Sequence, residues 1–432
     1  MGKTMIMKIM ERAAHKEVHT GERVWCDIDW STARDFGGAN CTLQFDEITE
    51  NRGKVWDPDK IAFTFDLQAP SHSEKVSNNQ KIIREFAKRQ GIRHVFDINN
   101  GIGQHVLLEQ GLVKPGDVIL GTDSHMNLLG AAAAFATGVG NTDIAASWLN
   151  GTNWFRVPET MKIEVTGEFP CGVTMRDFLT KLVGDLGAGG LDFLAVEFSG
   201  DVIERAGLSE RITLCSMVTE MSGKIGLILP DGPVLDWLAE RAGPEVRSRA
   251  DAIRPDPDAP YIEVRRYCVS ELEPMASCPD APDNVKPVRE IAGAPVDQVH
   301  IGSCTNGRFE DIASAFSVLE KSGSKVSPNV RTIITPATAE VMRQCAREGM
   351  IEKFLDAGAV FTNPTCSLCT AEHYGALPSG DVGCSTTNRN FIGKVGKGSH
   401  TYLLSPMTAM ATAVKGVITD PRDIVCQGGV KQ

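Results

Sequence analysis

The stretch QVHIGSCTNGRFEDIASAFSVLEKSG, residues 298–323, begins as a short apolar strand and runs directly into a helical pattern, with Cys304 on the turn between them. The same alternation recurs along the chain. DVILG (117–121), KIEVTG (162–167) and VRTIIT (330–335) read as apolar strands, while NNQKIIREFAKRQG (78–91) and TAEVMRQCAREGMIEKFLDAG (338–358) carry helical periodicity. Strands alternating with helices predict an α/β protein with largely parallel sheets covered on both faces, whose ligands gather at the carboxyl ends of the strands.

At 432 residues the chain is too long for one small core. From Arg254 to about Val296 it turns rich in Pro, Asp and Ala (RPDPDAP, EPMASCPDAPDNVKP), which predicts a linker, and a weaker boundary falls near FRVPET (155–160). The expected domains are 1–160, 161–290 with the Pro-rich linker at its end, and 291–432. No internal repeat is evident.

Hydrophobic residues make up 42% and charged residues 23%, an ordinary globular balance. The net charge of -11, with no Lys/Arg-rich block, makes nucleic acid an improbable partner. No apolar run approaches the roughly 20 residues that span a bilayer, and the N-terminus lacks a signal-peptide core, so no membrane contact and a cytoplasmic location are expected. Twelve scattered cysteines do not suggest a disulfide framework; in a reducing compartment a CxxC points to metal or redox chemistry.

That CxxC is Cys366 and Cys369 in NPTCSLC (363–369), which follows an apolar strand much as Cys304 does. Backbone N–H groups at a helix start favour a thiolate at Cys304. If both strands share a sheet, three thiolates converge at its edge. Three ligands leave a position open, as a catalytic metal requires; Cys384 is the competing fourth ligand of a structural or electron-transfer centre. Coincidence is the plain alternative, and the remaining cysteines read as buried small hydrophobes.

IGSCTNGRFED, NPTCSLC and STTNRNFIGKVG, in that order, resemble the signature blocks of the aconitase superfamily, nearest to the large subunits of 3-isopropylmalate dehydratase, homoaconitase and dimethylmalate dehydratase. The resemblance extends to GTDSH (121–125), FATGVGNTD (135–143) and WFRVPETMKIEVTG (154–167), nearly end to end. It implies three α/β/α layered domains without the C-terminal swivelling domain, which a separate small subunit would supply together with the serine that takes the carbon-bound proton. It further implies one 4Fe-4S cluster on Cys304, Cys366 and Cys369 with one open iron, and reversible dehydration of a small hydroxy dicarboxylate.

Protonating a leaving hydroxyl calls for carboxylate–imidazole pairs. The resemblance implies Asp123 paired with His105 and His125 paired with Glu220, with Asp66 a further active-site carboxylate. Read as residues alone, a lone His is more often structural, Asp66 is a turn residue, and Ser124 either touches substrate or caps a helix. For the carboxylates of the substrate, Arg389 offers a bidentate clamp and Lys394 a second positive point, with Asn388 and Asn390 as amide partners; a solvated basic loop is the alternative.

The chain departs from the family pattern at several positions. Leu67 stands where His is usual, Ser216 for Asn, Lys394 for Arg, Met126 for Thr, and Ser367–Leu368 for Gly–Pro. The cluster ligands survive while the pocket changes, which predicts either weakened activity or a different substrate, and Leu67 favours a bulkier or less polar one. Two other readings remain: an RNA-binding iron sensor, known in the same superfamily, and an electron-transfer or structural metal protein. Nucleotide binding lacks a phosphate-loop motif.

Overall fold

The computed structural model describes residues 2–369 and 373–426, which form two compact units, Met1–Val165 with Leu191–Tyr267, and Thr166–Gly190 with Cys268–Gln432. The segment 161–290 is therefore divided between them. No helix among the described residues is long and apolar enough to cross a membrane.

The first unit is built on a five-stranded sheet, all parallel, in the order His94–Phe96, Ile61–Thr64, Trp30–Arg34, Val118–Gly121, Phe135–Gly138. Numbered along the chain, this is 3-2-1-4-5. The connections diverge between Trp30–Arg34 and Val118–Gly121, so the loops leaving those two strands open a crevice there. The central strands are buried end to end, as a doubly covered parallel sheet demands. The helix Glu74–Gln90 starts because the Ser73 hydroxyl accepts from the Val76 N–H and stops at Gly91, whose φ of 76° only glycine adopts freely. It buries Ile83 and Phe86; Phe86 stacks edge-on with Phe45 at 5.4 Å, and Trp148 packs on Phe63 at 5.5 Å. A second sheet, Ile225–Leu227, Ala195–Ser199, Thr160–Thr166, Tyr261–Cys268, follows, its first three strands parallel.

The second unit carries seven strands. Five are parallel in the order His400–Leu403, Val382–Ser385, Gln298–Gly302, Arg331–Thr335, Val360–Phe361, again a 5-4-1-2-3 winding whose switch lies between Val382–Ser385 and Gln298–Gly302. Met275–Ser277 and Val285–Pro287 add antiparallel at one edge.

Three expectations need correction. The Pro-rich stretch is not a bare linker: it contains the strand Tyr261–Cys268 and both antiparallel edge strands. Tyr261–Cys268 is largely exposed, so it lacked the apolar run that marks the other strands. The 338–358 pattern is two helices, Ala339–Arg347 and Met350–Asp356, separated where Gly349 takes a φ of 68°. Cys171 and Cys426, both exposed and distant in sequence, form a disulfide rather than buried hydrophobic packing.

The helix Met175–Leu186 is set by a reciprocal cap: the Asp177 carboxylate accepts from the Thr174 N–H at 2.8 Å and from the Met275 N–H at 3.0 Å. Burial pushes Asp177 up to about 6 despite these bonds. The folded chain thus holds a proton that the unfolded chain releases near its ordinary 3.8. Stability from this group is full below that value and falls as pH rises to about 6, by on the order of 3 kcal/mol. Asp177→Asn keeps the acceptor for Met275, and in urea unfolding at several pH values its stability relative to the parent should rise as pH climbs from 3.8 to about 6; a difference that stays constant with pH would contradict the assignment.

Candidate functional site

In the first unit, the crevice at the switch is occupied by Arg34, which ends the strand Trp30–Arg34. Its N–H bonds the Thr122 hydroxyl at 3.0 Å, tying together the two strand ends that diverge there. Its Nε donates to Asp66 Oδ1 at 2.9 Å, and its Nη1 donates to Asp123 Oδ2. One guanidinium thus bridges two carboxylates that both stood among the sequence candidates. Asp66 also accepts from the Gly103 N–H at 2.7 Å, at the start of the helix Gly103–Glu109, an anion-favouring position. Gly103 is required, because a Cβ there would lie 2.5 Å from the Thr64 hydroxyl. Desolvation pushes Asp66 upward, with nearby Asp35 adding to it and Arg34 acting in the opposite direction. His105, two residues beyond Gly103, is fully buried in the same helix.

Asp123 also accepts from the His125 N–H at 2.6 Å, which folds the GTDSH loop back over its own carboxylate. His125 Nε2 lies 2.9 Å from Glu220 Oε1, the pairing implied by the resemblance, and both side chains are buried. Its Nδ1 faces the Ser124 hydroxyl at 3.5 Å. The Thr219 hydroxyl donates to the Ser124 carbonyl at 3.1 Å, linking the GTDSH loop to the turn that carries Glu220. Leu67 is buried, and its N–H and that of Gln68 are taken by Asp35 at 3.0 Å each. Asp35 therefore shapes the loop after Asp66. Ser216 is buried in the helix Leu208–Met217, and Met126 packs under Gly121.

In the second unit, the strands flanking the switch deliver two of the candidate segments. Gln298–Gly302 leads through Ser303, at a φ of 83°, into Cys304; Val382–Ser385 leads to Asn388 and Arg389. Strain of this kind, and again at Ser367 (φ 47°) between the two CxxC thiols, concentrates where a segment must present particular atoms. Ser367 is anchored to the sheet through the Thr335 hydroxyl at 3.2 Å. Cys369 hydrogen-bonds with Cys304 and Cys366, and these contacts, reinforced by burial, hold its thiol well above the ordinary range. The three sulfurs therefore converge. Among the described residues no group of His, Cys, Asp or Glu forms a single-ion site.

Asn388 donates to Cys304 Sγ at 3.4 Å and accepts from the Thr305 hydroxyl. Arg389 is half-buried beside it, and Lys394 lies further along the loop, past exposed Phe391 and Ile392. The amide of Asn390 donates to the Cys278 and Thr401 carbonyls at 2.8 and 3.0 Å, which secures the loop to the seven-stranded sheet. Cys384 packs in the hydrophobic core with Val299, Ile301 and Met410, and burial alone raises its thiol.

Sequence reasoning missed two arginines. Arg34 had a readable signal, a charge closing a strand that is otherwise buried. Arg176 is almost fully buried and binds Asn306 Oδ1 at 3.0 Å and the Thr387 carbonyl at 2.8 Å, so it supports both the Cys304 segment and the Asn388–Arg389 loop. It interrupts the apolar stripe of its helix with Leu179 and Val183, which was its only trace in the sequence.

Comparison with known proteins matches residues 8–295 and 286–416 to the family described as Aconitase family (aconitate hydratase). The chain is 44% identical to 3-isopropylmalate dehydratase large subunit 1 of Methanopyrus kandleri, over 98% of this chain and 99% of that one. It is 40% identical to the probable methanogen homoaconitase large subunit of Methanothermobacter thermautotrophicus, over 97% of each. Among solved structures, the holo-form of Thermococcus kodakaraensis aconitase X aligns with a TM-score of 0.50 at 12% identity, over 89% of each chain, a likeness of fold.

Proposed function

Because this chain belongs to the aconitase family, we propose that it is the large, iron–sulfur-bearing subunit of a hydro-lyase that reversibly dehydrates a small hydroxy dicarboxylic acid of the isopropylmalate, dimethylmalate or homocitrate type. The observation that carries the reading is the convergence of Cys304, Cys366 and Cys369, a soft donor set suited to iron and sulfide, with the fourth candidate thiol packed away in the core. On this reading those three cysteines hold one 4Fe-4S cluster and leave one iron without a protein ligand. When bound, that open iron supplies Lewis acidity toward the hydroxyl and its neighbouring carboxylate.

The chain's own residues manage protons and charge. With Nε2–H directed to Glu220, His125 is held in one tautomer, and the imidazolium it forms is stabilised by the buried carboxylate. That leaves Nδ1, beside Ser124, as the atom that gives a proton to a departing hydroxyl. Asp66 and Asp123, bridged by the single Arg34 guanidinium, keep the strand-end loops in position. Asn388 orients Cys304, and Arg389 with Lys394 receives substrate carboxylate. The relatives' designation as large subunits supports a separate small subunit as partner.

The test is anaerobic. The chain is reconstituted with iron and sulfide, combined with a small subunit, and offered hydroxy dicarboxylates while the alkene absorbance and the reduced-cluster spectrum are recorded. Alkene formation with a substrate-induced spectral change is expected. A cluster that loads fully but ignores every acid would remove the hydro-lyase reading and favour electron transfer.

A further inference from the structure

Beside the His125–Glu220 pair, within the first unit, lies a cleft of about 400 Å³ that is open to solvent and lined by Ser124, Asn127, Thr137, Thr219, Lys224 and the Gly138–Gly140 turn. Its size suits a small organic acid. Nothing in the roles assigned above uses Asn127 or Lys224. Asn127 is 1% exposed, yet neither its Oδ1 nor its Nδ2 has a hydrogen-bond partner among the described residues. Each unmet polar atom costs about 1–3 kcal/mol, so a donor and an acceptor left together beside a cleft point to something that enters the cleft and meets both.

Charge gives the sign of that something. Lys224 is half-buried, sits 5.9 Å over the Phe193 ring, and makes no ion pair among the described residues. Burial disfavours its ammonium, and among the described residues the acid that acts on it is Asp143, which is itself exposed. The backbone contributes as well. Gly138–Gly140 leads into the ten-residue helix Asn141–Asn150, whose first turn has no side-chain cap. Gly138 cannot carry a side chain, since a Cβ would fall 2.5 Å from the Asp123 carbonyl; the turn is kept small where it meets the GTDSH loop.

We infer that this cleft binds one carboxylate of the substrate, with Lys224 as its counter-ion and Asn127 bonding both that carboxylate and an adjoining hydroxyl. The inference rests on the hydro-lyase reading and adds to it the groups that recognise an acid next to Ser124 and His125. It also accounts for both orphaned atoms of Asn127: the amide Nδ2 donates to the carboxylate and Oδ1 accepts from the hydroxyl.

Calorimetry on the reconstituted complex with its small subunit tests this, using malate, citramalate and 3-isopropylmalate as dicarboxylate probes and 3-hydroxybutyrate as the monocarboxylate control. Lys224→Met is expected to weaken the tightest dicarboxylate at least tenfold and 3-hydroxybutyrate less than twofold, while Lys224→Arg retains most of the affinity. Asn127→Leu is expected to weaken the same dicarboxylate and to raise Tm, because an apolar isostere removes two unmet polar atoms; an Asn that served only the fold would lower Tm instead. Unchanged dicarboxylate affinity in Lys224→Met, or no binding by any dicarboxylate, overturns the inference. The two readings fail separately. Lys224-dependent binding without turnover of any acid removes the hydro-lyase reading alone, whereas turnover with an unaltered KM in Lys224→Met removes the cleft assignment alone.

Discussion

Serine in place of Cys304, Cys366 or Cys369 is expected to abolish iron–sulfur loading, with iron and acid-labile sulfide falling to background in each of the three single variants. The argument is one of donor chemistry. A hydroxyl is a harder and far more weakly acidic ligand than a thiol, and a site with three protein ligands has none in reserve. The three sulfurs are already brought together by separate devices: Asn388 on Cys304, the Thr335–Ser367 bond within the CxxC, and Cys369 in contact with both other thiols. Cys384→Ser is the control. It puts a hydroxyl into the core beside Val299 and Ile301 and should cost on the order of 1–3 kcal/mol of stability while leaving the iron content per folded chain unchanged. Iron lost in Cys384→Ser but retained in any one of the other three would overturn the three-ligand assignment.

What the sequence made legible follows from which forces act locally. The strands that run into Cys304 and into the GTDSH loop are continuous apolar runs, because a parallel sheet buries both faces, and both were readable with their ends nearly in place. The His125–Glu220 pair was reached only through the family pattern; nothing local in CSMVTE marks Glu220, whose meaning depends on a loop far away in sequence. Tyr261–Cys268 escaped for the opposite reason, being a largely exposed strand within a composition that resembles linker. Arg34 and Arg176 were passed over despite their faint traces because sequence patterns score charges as surface, whereas these guanidiniums are bonded to carboxylates or carbonyls inside the fold. The doubled winding, 3-2-1-4-5 in one unit and 5-4-1-2-3 in the other, leaves no detectable repeat in the residues. Strand order is set by long-range pairing, and many sequences satisfy it.

The second large effect is expected at Arg34. Arg34→Met preserves volume but leaves Asp66 and Asp123 facing each other without their shared cation. Breaking a buried pair in this way costs about 3–5 kcal/mol, more than deleting the whole arrangement would, because the charges stay behind. The pH dependence distinguishes this from lost packing. Arg34 holds Asp66 down against desolvation, so its removal lets the folded-state value climb further above the ordinary 3.8. A carboxyl raised in the folded state contributes stability that is present below its unfolded value and lost as pH rises through the folded one. The deficit of Arg34→Met relative to the parent should therefore be small at acid pH, where both carboxyls are protonated, and should grow toward neutrality; urea midpoints across that range measure it. A deficit that does not change with pH would mean that Arg34 acts through its packing alone. Arg34→Lys should recover only part, since one ammonium lacks the fork that reaches two carboxylates at once. Adding Asp66→Asn to Arg34→Met removes the charge that the first substitution stranded, and the double variant should unfold later than Arg34→Met alone at neutral pH, the signature of a carboxylate whose cost in this fold is borne by Arg34.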